Sequence, residues 1–537
     1  MTFKERIQLI SQKKQSTILS ASLVLAIAFG LSSILGLLRN RFLYAKFFSC
    51  CLAQLDVYNA AFRLPDLIFK LLVTGVLSAS FIPVFSNYLH KNKKVADEIA
   101  STVINLLLIA FTIISIIAFI FIKPISSLIA AGFSPDQLSL MASLSRILLI
   151  AQIFFLLSNF ATAILQVNQV FIVPALTPII YNLFIIISIF TLAPIFGIYG
   201  VAIGAVVGAF FHFAIQVPVL RRQGFVYYPI IRTKLSGVKE IFRLMIPRIL
   251  SLGLGEIENT VTLFFASTLA SGSISLLNLA LQFMYLPSRI FGTTVGQASL
   301  PILSKNIARN ELNTFRTTVH RIIIQSLFIA VPISILILVE RVSIIRLLYG
   351  SREFPWTATI LTSKILAFLV PGIICQAVIQ ILIRAFYALH NTKVPFFISM
   401  ISLAVNIVTS YYFVNFTSLG VVGLAISASV GNLIQLFGLL TMFIKIVDGF
   451  NWFTMFTKFY KISISAVLMG ISSWLSIKFL DLFILDTTHV IPVLTLTLIS
   501  SFIGLITYIF SVNFLKLEEV KDYQKYYFKF KDFIFRK

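Results

Sequence analysis

The chain has 537 residues, of which 58% are hydrophobic and only 12% are charged, and its mean hydropathy is +0.98. A water-soluble protein of this composition would expose large apolar patches and aggregate, so a soluble fold is excluded. The net charge of +24 would suggest nucleic-acid binding in a soluble protein. In a membrane protein the position of the charges matters more than their sum.

Apolar runs recur along the whole chain, and each is long enough to cross about 30 Å of hydrocarbon as a helix. They are longer than the strands of a membrane barrel and do not alternate in polarity as such strands do. We therefore predict an all-α integral membrane protein with about fourteen spans. The spans lie near residues 17–38, 55–88, 97–122, 139–166, 174–196, 199–219, 238–270, 274–304, 317–340, 357–384, 393–416, 420–446, 455–480 and 489–515.

Lysine and arginine are concentrated in every second gap between the predicted spans. The rich gaps are 4–14, 91–94, 221–234, 305–316, 384–393, 445–458 and 516–537. The positive-inside rule places these gaps, and both termini, in the cytoplasm and requires an even number of spans. Two outer segments break the pattern and become functional candidates: one contains Arg39 and Arg41, and the other contains Arg341 and Arg346.

An internal repeat is visible in the order of small residues. The segment 197–208 reads GIYGVAIGAVVG and aligns with 420–431, GVVGLAISASVG, 223 positions later. Two copies with an even number of spans each predict two parallel six-helix lobes, at 1–220 and 221–450, followed by helices 13 and 14 at 451–515 and a basic cytoplasmic tail at 516–537. An alternative for Gly204 and Gly208 alone is that they only allow helices to pack closely.

Charged and polar residues in the second predicted span follow a helical spacing. They are Asp56, Asn59, Arg63, Asp66, Lys70 and Thr74, at steps of three or four residues. This spacing puts them on one helical face, and charged groups at membrane depth usually face a cavity or a partner. Asp66 is expected to pair locally with Arg63 and Lys70, which leaves a net positive face suited to anions.

The seventh and eighth predicted spans carry further polar stripes. The seventh has Arg248, Ser251, Gly255, Asn259 and Thr262, and the eighth has Asn278, Gln282, Tyr285, Arg289 and Thr293. Glu256 and Glu258 lie beside the first of these stripes. One of the two carboxylates is a candidate for a coupling proton, and the alternative is a structural pair with Arg248.

No enzyme chemistry emerges from the sequence. It contains no phosphate-binding Gly-rich loop for ATP and no His-Glu metal motif, and its three cysteines match no metal or redox spacing. We therefore expect a transporter without cofactors or metals. Uphill transport would draw on an ion gradient, the membrane potential or the gradient of the substrate itself.

Several segments together resemble one family. They are 32–39 (SSILGLLR), Asp56 with 62–67 (FRLPDL), 81–83 (FIP), 270–275 (ASGSIS) and 300–305 (LPILSK). In these segments the chain resembles the MurJ (MviN) lipid II flippases of the multidrug/oligosaccharidyl-lipid/polysaccharide exporter superfamily. The predicted extra pair of C-terminal helices is also similar to this family.

The resemblance implies a bacterial inner-membrane flippase that moves the undecaprenyl-pyrophosphate-linked peptidoglycan precursor, lipid II, outward by alternating access. A cationic cavity would hold the head group, and a groove reaching helices 13 and 14 would hold the prenyl tail. The residues we expect at the head group are Arg39, Arg41, Asp56, Asn59, Arg63, Asp66, Lys70, Asn278, Gln282 and Arg289, with Glu256 and Glu258 as coupling candidates. Membrane lipids are expected partners, nucleic acid is not, and the expected state is a monomer.

The chain departs from the family at four positions. Ser33, Phe69 and Gln282 stand where the resemblance implies arginines, and Asn40 replaces an acidic neighbour of Arg39. Arg289, on the same stripe as Gln282, is expected to compensate. The alternatives are a flippase for another lipid-linked oligosaccharide, a small-molecule antiporter of the same superfamily, or a membrane scaffold that does not transport.

Overall fold

A computed structural model describes residues 18–74, 77–287, 292, 295–351, 353–486, 489–517 and 519. These residues form α-helices and two π-helical segments, without an extended β-strand. The α-helices are α1 Ile18–Phe47, α2 Leu52–Ala61, α3 Arg63–Phe69, α4 Ile82–Lys91, α5 Lys93–Ile120, α6 Ile122–Ile129, α7 Pro135–Val167, α8 Ile172–Thr191, α9 Ala193–Phe196, α10 Ile198–Ala214, α11 Val217–Arg222, α12 Ser236–Ser267, α13 Ser273–Pro287, α14 Val295–Ala308, α15 Leu312–Tyr349, α16 Trp356–Ala388, α17 Lys393–Phe416, α18 Val421–Ile446, α19 Trp452–Phe483 and α20 Val490–Phe514. The π-helical segments are Lys70–Thr74 and Leu77–Phe81.

Within the described residues, ten helices are long and apolar enough to span a membrane: α5, α7, α8, α10 continued by α11, and α15 to α20. The other four predicted spans correspond to α1, the α2–α4 region, α12 and the α13–α14 region. The α2–α4 and α13–α14 regions are each divided into several helical segments, whereas α1 is one continuous helix of 30 residues. The all-α, multi-pass membrane architecture is confirmed, and the count of fourteen stays a prediction.

The chain forms two compact units. The first unit contains Met1–Ser275 and Arg352–Phe354, and the second contains Leu276–Ser351 and Pro355–Lys537. Helix α12 belongs to the first unit by its contacts, whereas the sequence repeat assigned it to the second lobe. Contacts and repeats divide a chain by different criteria, and the lobe limits at 220 and 450 stay a prediction.

Aromatic side chains fill the interior of both units. In the first unit Phe81 lies 5.0 Å from Phe160, measured between ring centroids. In the second unit Phe386 lies 5.7 Å from Phe443, and all four rings are fully buried. The pairs meet edge to face, the arrangement that the ring quadrupoles favour.

The repeat has a structural counterpart in the backbone. Gly197 precedes α10 with φ 56° and ψ −138°, and Gly420 precedes α18 with φ 54° and ψ −129°. This left-handed region is readily accessible only to glycine. The same special conformation, 223 positions apart, supports a duplicated unit.

Close helix packing at Gly204 yields a first testable prediction. A Cβ built on Gly204 of α10 would lie 1.9 Å from the Ser188 hydroxyl oxygen on α8. We expect Gly204→Leu to push these helices apart, at a cost of about 1–3 kcal/mol, and to lower the melting temperature of the purified protein. Gly30→Leu is the control, because a Cβ there meets nothing within 4 Å. Equal melting temperatures for the two variants would contradict the prediction.

Prolines inside the helices free backbone carbonyls, and neighbouring helices supply the missing donors. Pro65 has no N–H for the carbonyl of Ala61, which instead accepts a hydrogen bond from the Ser145 hydroxyl at 2.9 Å. In the second unit Pro332 frees the carbonyl of Phe328, which accepts from the Tyr508 hydroxyl at 2.7 Å. Such donors are needed in hydrocarbon, where no water replaces a lost backbone bond.

The segment that leads from α11 to α12 lies along a polar face of α5. The Asn105 side chain donates to the carbonyl of Ile230 at 2.9 Å, the backbone N–H of Tyr228 donates to the Ser101 hydroxyl at 3.0 Å, and Arg232 pairs with Glu98 at 2.7 Å. Two basic gaps predicted to be cytoplasmic, 91–94 and 221–234, therefore belong to neighbouring parts of the first unit.

Candidate functional site

The second predicted span is not the continuous α-helix on which the spacing argument rested. Helix α2 is followed by α3, then by the π-helical segments Lys70–Thr74 and Leu77–Phe81. The wider π turn shifts side chains off the 3.6-residue period, so the predicted face holds only as far as Lys70. π-Helical turns inside α-helices are rare and occur frequently at functional sites.

Arg63 and Lys70 both pair with Glu256, which lies on α12. One Arg63 Nη–H lies 2.6 Å from Glu256 Oε2, and Lys70 Nζ lies 3.2 Å from Glu256 Oε1. Arg63 Nε also donates to the Thr260 hydroxyl at 2.9 Å. We call Arg63, Lys70, Glu256 and Thr260 the Glu256 cluster; it holds two cations and one carboxylate.

Burial differs within the Glu256 cluster. The side chains of Arg63 and Glu256 are 10% and 12% exposed, whereas that of Lys70 is 42% exposed. A buried carboxylate between two cations is stabilised by both, and its removal would leave two like charges close together. The three charged members of the cluster sum to one positive charge, which the nearby carboxylate of Asp66 offsets, and Lys70 is the most accessible member.

Asp66 does not form the local ion pairs that its spacing predicted. Its carboxylate accepts a hydrogen bond from the Gln152 amide of α7 at 2.7 Å, and Glu256 takes both cations. The predicted contact ion pairs do not form, although Arg63 and Lys70 still lie close enough to attract the Asp66 charge. Local spacing cannot reveal a competing carboxylate on a helix almost two hundred residues away.

Asp56 caps the start of α13. One carboxylate oxygen accepts from the backbone N–H of Gly272 at 2.5 Å, and the other accepts from the N–H of Ser275 at 2.8 Å. Asn59 supports the same turn by donating to the Ser275 hydroxyl at 3.0 Å. Because the Asp56 side chain is buried and both of its oxygens are used, it is a positioning residue in this conformation.

The cap at Asp56 yields a second prediction. Asp56→Ala leaves two backbone donors unpaired, so we expect a loss of about 1–2 kcal/mol of stability, seen as a lower melting temperature. Asp56→Asn keeps one acceptor and should lose less. Asp136→Ala is the matched control, because Asp136 lies in the first turn of α7 but is exposed. The assignment fails if the two alanine variants melt alike.

Arg39 is held by amides and by no carboxylate of the described residues. Its Nε and one Nη donate to the Asn40 side-chain oxygen at 3.1 and 3.0 Å, and the other Nη donates to Asn182 at 3.1 Å. An arginine has five N–H donors, so the contacts among the described residues leave two for a ligand. Neutral acceptors orient the guanidinium without cancelling its charge, which makes Arg39 the strongest anion-binding candidate in the first unit.

The remaining predicted site residues are less informative. Arg41 is half-buried and has an interaction partner, and Glu258 is half-buried on α12. Asn278 is half-buried and Gln282 is exposed, both in the second unit. Arg289 lies outside the described residues, as does the side chain of Arg248.

Sequence reasoning missed the neutral partners of the charged groups. Asn182, Gln152 and Thr260 orient Arg39, Asp66 and Arg63 respectively, but none belongs to a charged stripe. A lone amide inside an apolar run is the sequence signal that could have identified Asn182 and Gln152, since both occur in such runs. In membrane helices such residues hydrogen-bond across helix interfaces.

A buried carboxylate in the second unit was missed as well. Glu340 of α15 is only 1% exposed, and its Oε1 accepts from the hydroxyls of Ser473 on α19 and Ser500 on α20. It ties the last two helices to α15. No group of three or more His, Cys, Asp or Glu residues suited to a metal occurs in the described part of the chain.

Sequence comparison identifies the protein family that shares this architecture. The sequence matches the family model "Lipid II flippase MurJ" over residues 46–493. A "Probable lipid II flippase MurJ" of Bdellovibrio bacteriovorus is 28% identical over 79% of this chain and 82% of its own length. The "Lipid II flippase MurJ" of Burkholderia cenocepacia is 25% identical over 84% of this chain and 88% of its own length.

Solved structures agree with the sequence match. A lipid II flippase MurJ in an inward closed conformation superposes with a TM-score of 0.75 at 27% identity, covering 92% of this chain and all of that one. An inward-facing MATE-family multidrug transporter of the MOP superfamily gives a TM-score of 0.63 at 16% identity, over 80% of this chain and 99% of that one, which speaks for the fold alone. The chain therefore belongs to the MurJ family of lipid II flippases.

Proposed function

We propose that this chain moves lipid II, the undecaprenyl-pyrophosphate-linked peptidoglycan precursor, from the inner to the outer leaflet of a bacterial inner membrane. The family membership supports this substrate class. The observation that carries the proposal to particular residues is Arg39, a guanidinium that keeps its full charge and has two N–H donors to spare.

The chemistry of the head group fits this arginine. A pyrophosphate is a dense anion with oxygen acceptors, and arginine binds phosphate oxygens through charge-assisted, often bidentate hydrogen bonds. Asn40 and Asn182 hold the guanidinium in one orientation before the substrate arrives, which reduces the entropy lost on binding. The amide of Asn40 thus orients the guanidinium without neutralising its positive charge.

The Glu256 cluster offers a second, switchable anion site within this proposal. While Glu256 is ionised, it occupies Arg63 and Lys70. A proton on Glu256, or an incoming pyrophosphate that competes for the same cations, would release both for the substrate. Glu256 is therefore our first coupling candidate, and Glu258 is the second.

The proposal includes alternating access and no cofactor or ATP. Transport draws on the membrane potential or an ion gradient, the protein acts as a monomer, and both termini lie in the cytoplasm. The basic gaps of the sequence support this orientation.

Complementation tests the proposal. The chain is expressed in a bacterium depleted of its own lipid II flippase, and growth is followed together with the accessibility of lipid II at the outer face. We expect rescue of both. The proposal is overturned if the chain reaches the membrane at normal levels, and neither growth nor outer-face lipid II recovers.

A further inference from the structure

The second unit contains a strongly basic cavity that no step of the proposed transport uses. Its volume is about 610 Å³. The cationic and titratable side chains on its wall are Arg316, His320 and Arg321 of α15 and Lys458 of α19, and we call them the basic pocket. The turn between α18 and α19 and the carboxylate of Glu519 complete the wall.

The basic pocket is a built feature with polar atoms left over. Arg316 Nη1 donates to the Asn313 side chain at 2.8 Å, and it would lie 3.1 Å from a Cβ at Gly449, whose φ is 78°. Arg316 Nε, His320 Nε2 and Glu519 Oε2 are all buried without a partner in the described residues. Buried polar groups normally have a hydrogen-bond partner, so these atoms indicate that the pocket holds a polar ligand or water, and the two nitrogens suit its acceptor oxygens.

The charge of the basic pocket selects an anion. Glu519 pairs with Lys458 at 2.7 Å, while Arg316 and Arg321 pair with no carboxylate of the described residues. Within the part of the chain that the structure describes, two positive charges of the pocket are therefore uncompensated. The Glu519 carboxylate also demonstrates that an oxyanion fits beside Lys458.

Neighbouring aromatic residues set the depth of the basic pocket. The first turns of α19 expose Trp452, Phe453, Phe456 and Tyr460. Aromatic side chains of this kind concentrate at the membrane–water interface. Three gaps predicted to be cytoplasmic, 305–316, 445–458 and 516–537, each contribute a residue to the pocket wall. The pocket therefore lies at head-group level on the predicted cytoplasmic side.

We propose that the basic pocket binds the phosphodiester group of an anionic phospholipid of the inner leaflet. Arg316 and Arg321 provide forked donors for phosphate oxygens. The exposed aromatic residues of α19 mark the acyl boundary at the same depth, although they lie on the face of the helix opposite to Thr454 and Lys458. A soluble phosphate shares the chemistry of the head group, but it has no acyl chains to hold it at head-group depth.

Native mass spectrometry of the full-length protein tests this proposal. Wild type and the double variant Arg316→Gln/Arg321→Gln are titrated with phosphatidylglycerol and, separately, with phosphatidylcholine. Removing two interfacial arginines should weaken phosphatidylglycerol binding about 10- to 30-fold and leave phosphatidylcholine binding unchanged. Unchanged phosphatidylglycerol binding would overturn the proposal.

Matched variants separate the basic pocket from general surface charge. Arg309→Gln/Lys445→Gln removes the same charge from exposed positions outside the pocket and should bind phosphatidylglycerol like wild type. An equal loss in both double variants would overturn the proposal. If the glutamine variant does not fold, Arg316→Lys/Arg321→Lys is used instead, because lysine keeps the charge but lacks the planar fork of arginine. We expect this variant to bind phosphatidylglycerol more weakly than wild type does. Binding as tight as that of wild type would count against the site.

Inorganic phosphate distinguishes the two sources of the anion. Millimolar phosphate should leave phosphatidylglycerol bound to wild type, because the acyl chains of the lipid add apolar burial that a free phosphate lacks. Complete displacement would identify a soluble anion site and overturn the lipid proposal. Because the experiment measures lipid binding, a failure of this proposal is independent of whether the chain transports lipid II.

Discussion

Arg39→Ala is expected to reduce outward transfer of lipid II about 10- to 100-fold, because it removes charge-assisted hydrogen bonds to the pyrophosphate worth about 1.5–3 kcal/mol. Arg39→Ala also removes the donor to the buried amides of Asn40 and Asn182, so transport is compared at equal amounts of folded protein. The measurement is outer-face accessibility of lipid II in the depleted host, normalised to the amount of protein in the membrane.

Two further variants make the Arg39 result interpretable. Arg39→Lys keeps the charge but loses the planar fork, so its rate should lie between those of wild type and the alanine variant. Arg222→Ala removes an exposed arginine at the end of α11 and should transport like wild type. If Arg39→Ala transports like Arg222→Ala, Arg39 does not bind the head group.

The Glu256 cluster leads to the second large effect. Glu256→Ala leaves Arg63 and Lys70 without their carboxylate, and breaking a buried pair in this way typically costs about 3–5 kcal/mol. We therefore expect a clear fall in melting temperature and in the yield of folded protein. Thermal unfolding of the detergent-purified protein measures this directly.

A double-mutant cycle isolates the ion pair between Arg63 and Glu256. The loss of stability in Arg63→Ala/Glu256→Ala should be smaller than the sum of the losses in the two single variants, because each single variant already breaks the pair. Additive losses in the double variant would show that the two side chains do not interact.

Hydrophobicity along the chain determined the class of this protein, because crossing the bilayer is a local property of about twenty residues. The repeat was equally readable, since Gly197 and Gly420 each satisfy a backbone requirement of their own turn. The polar stripe of the second span marked the right region. Its regular spacing failed beyond Lys70, where π-helical geometry replaces the α-helix.

Only the tertiary structure decided which groups meet. Arg63 and Glu256 are 193 positions apart, and Asp56 and Gly272 are 216 apart. No local periodicity encodes such contacts, because they depend on how separate helices pack. The sequence by itself therefore determined a multi-pass membrane protein of this family with a charged second span. Packing decided that Asp56 caps a helix, that Glu256 neutralises Arg63, and that Arg39 keeps its charge.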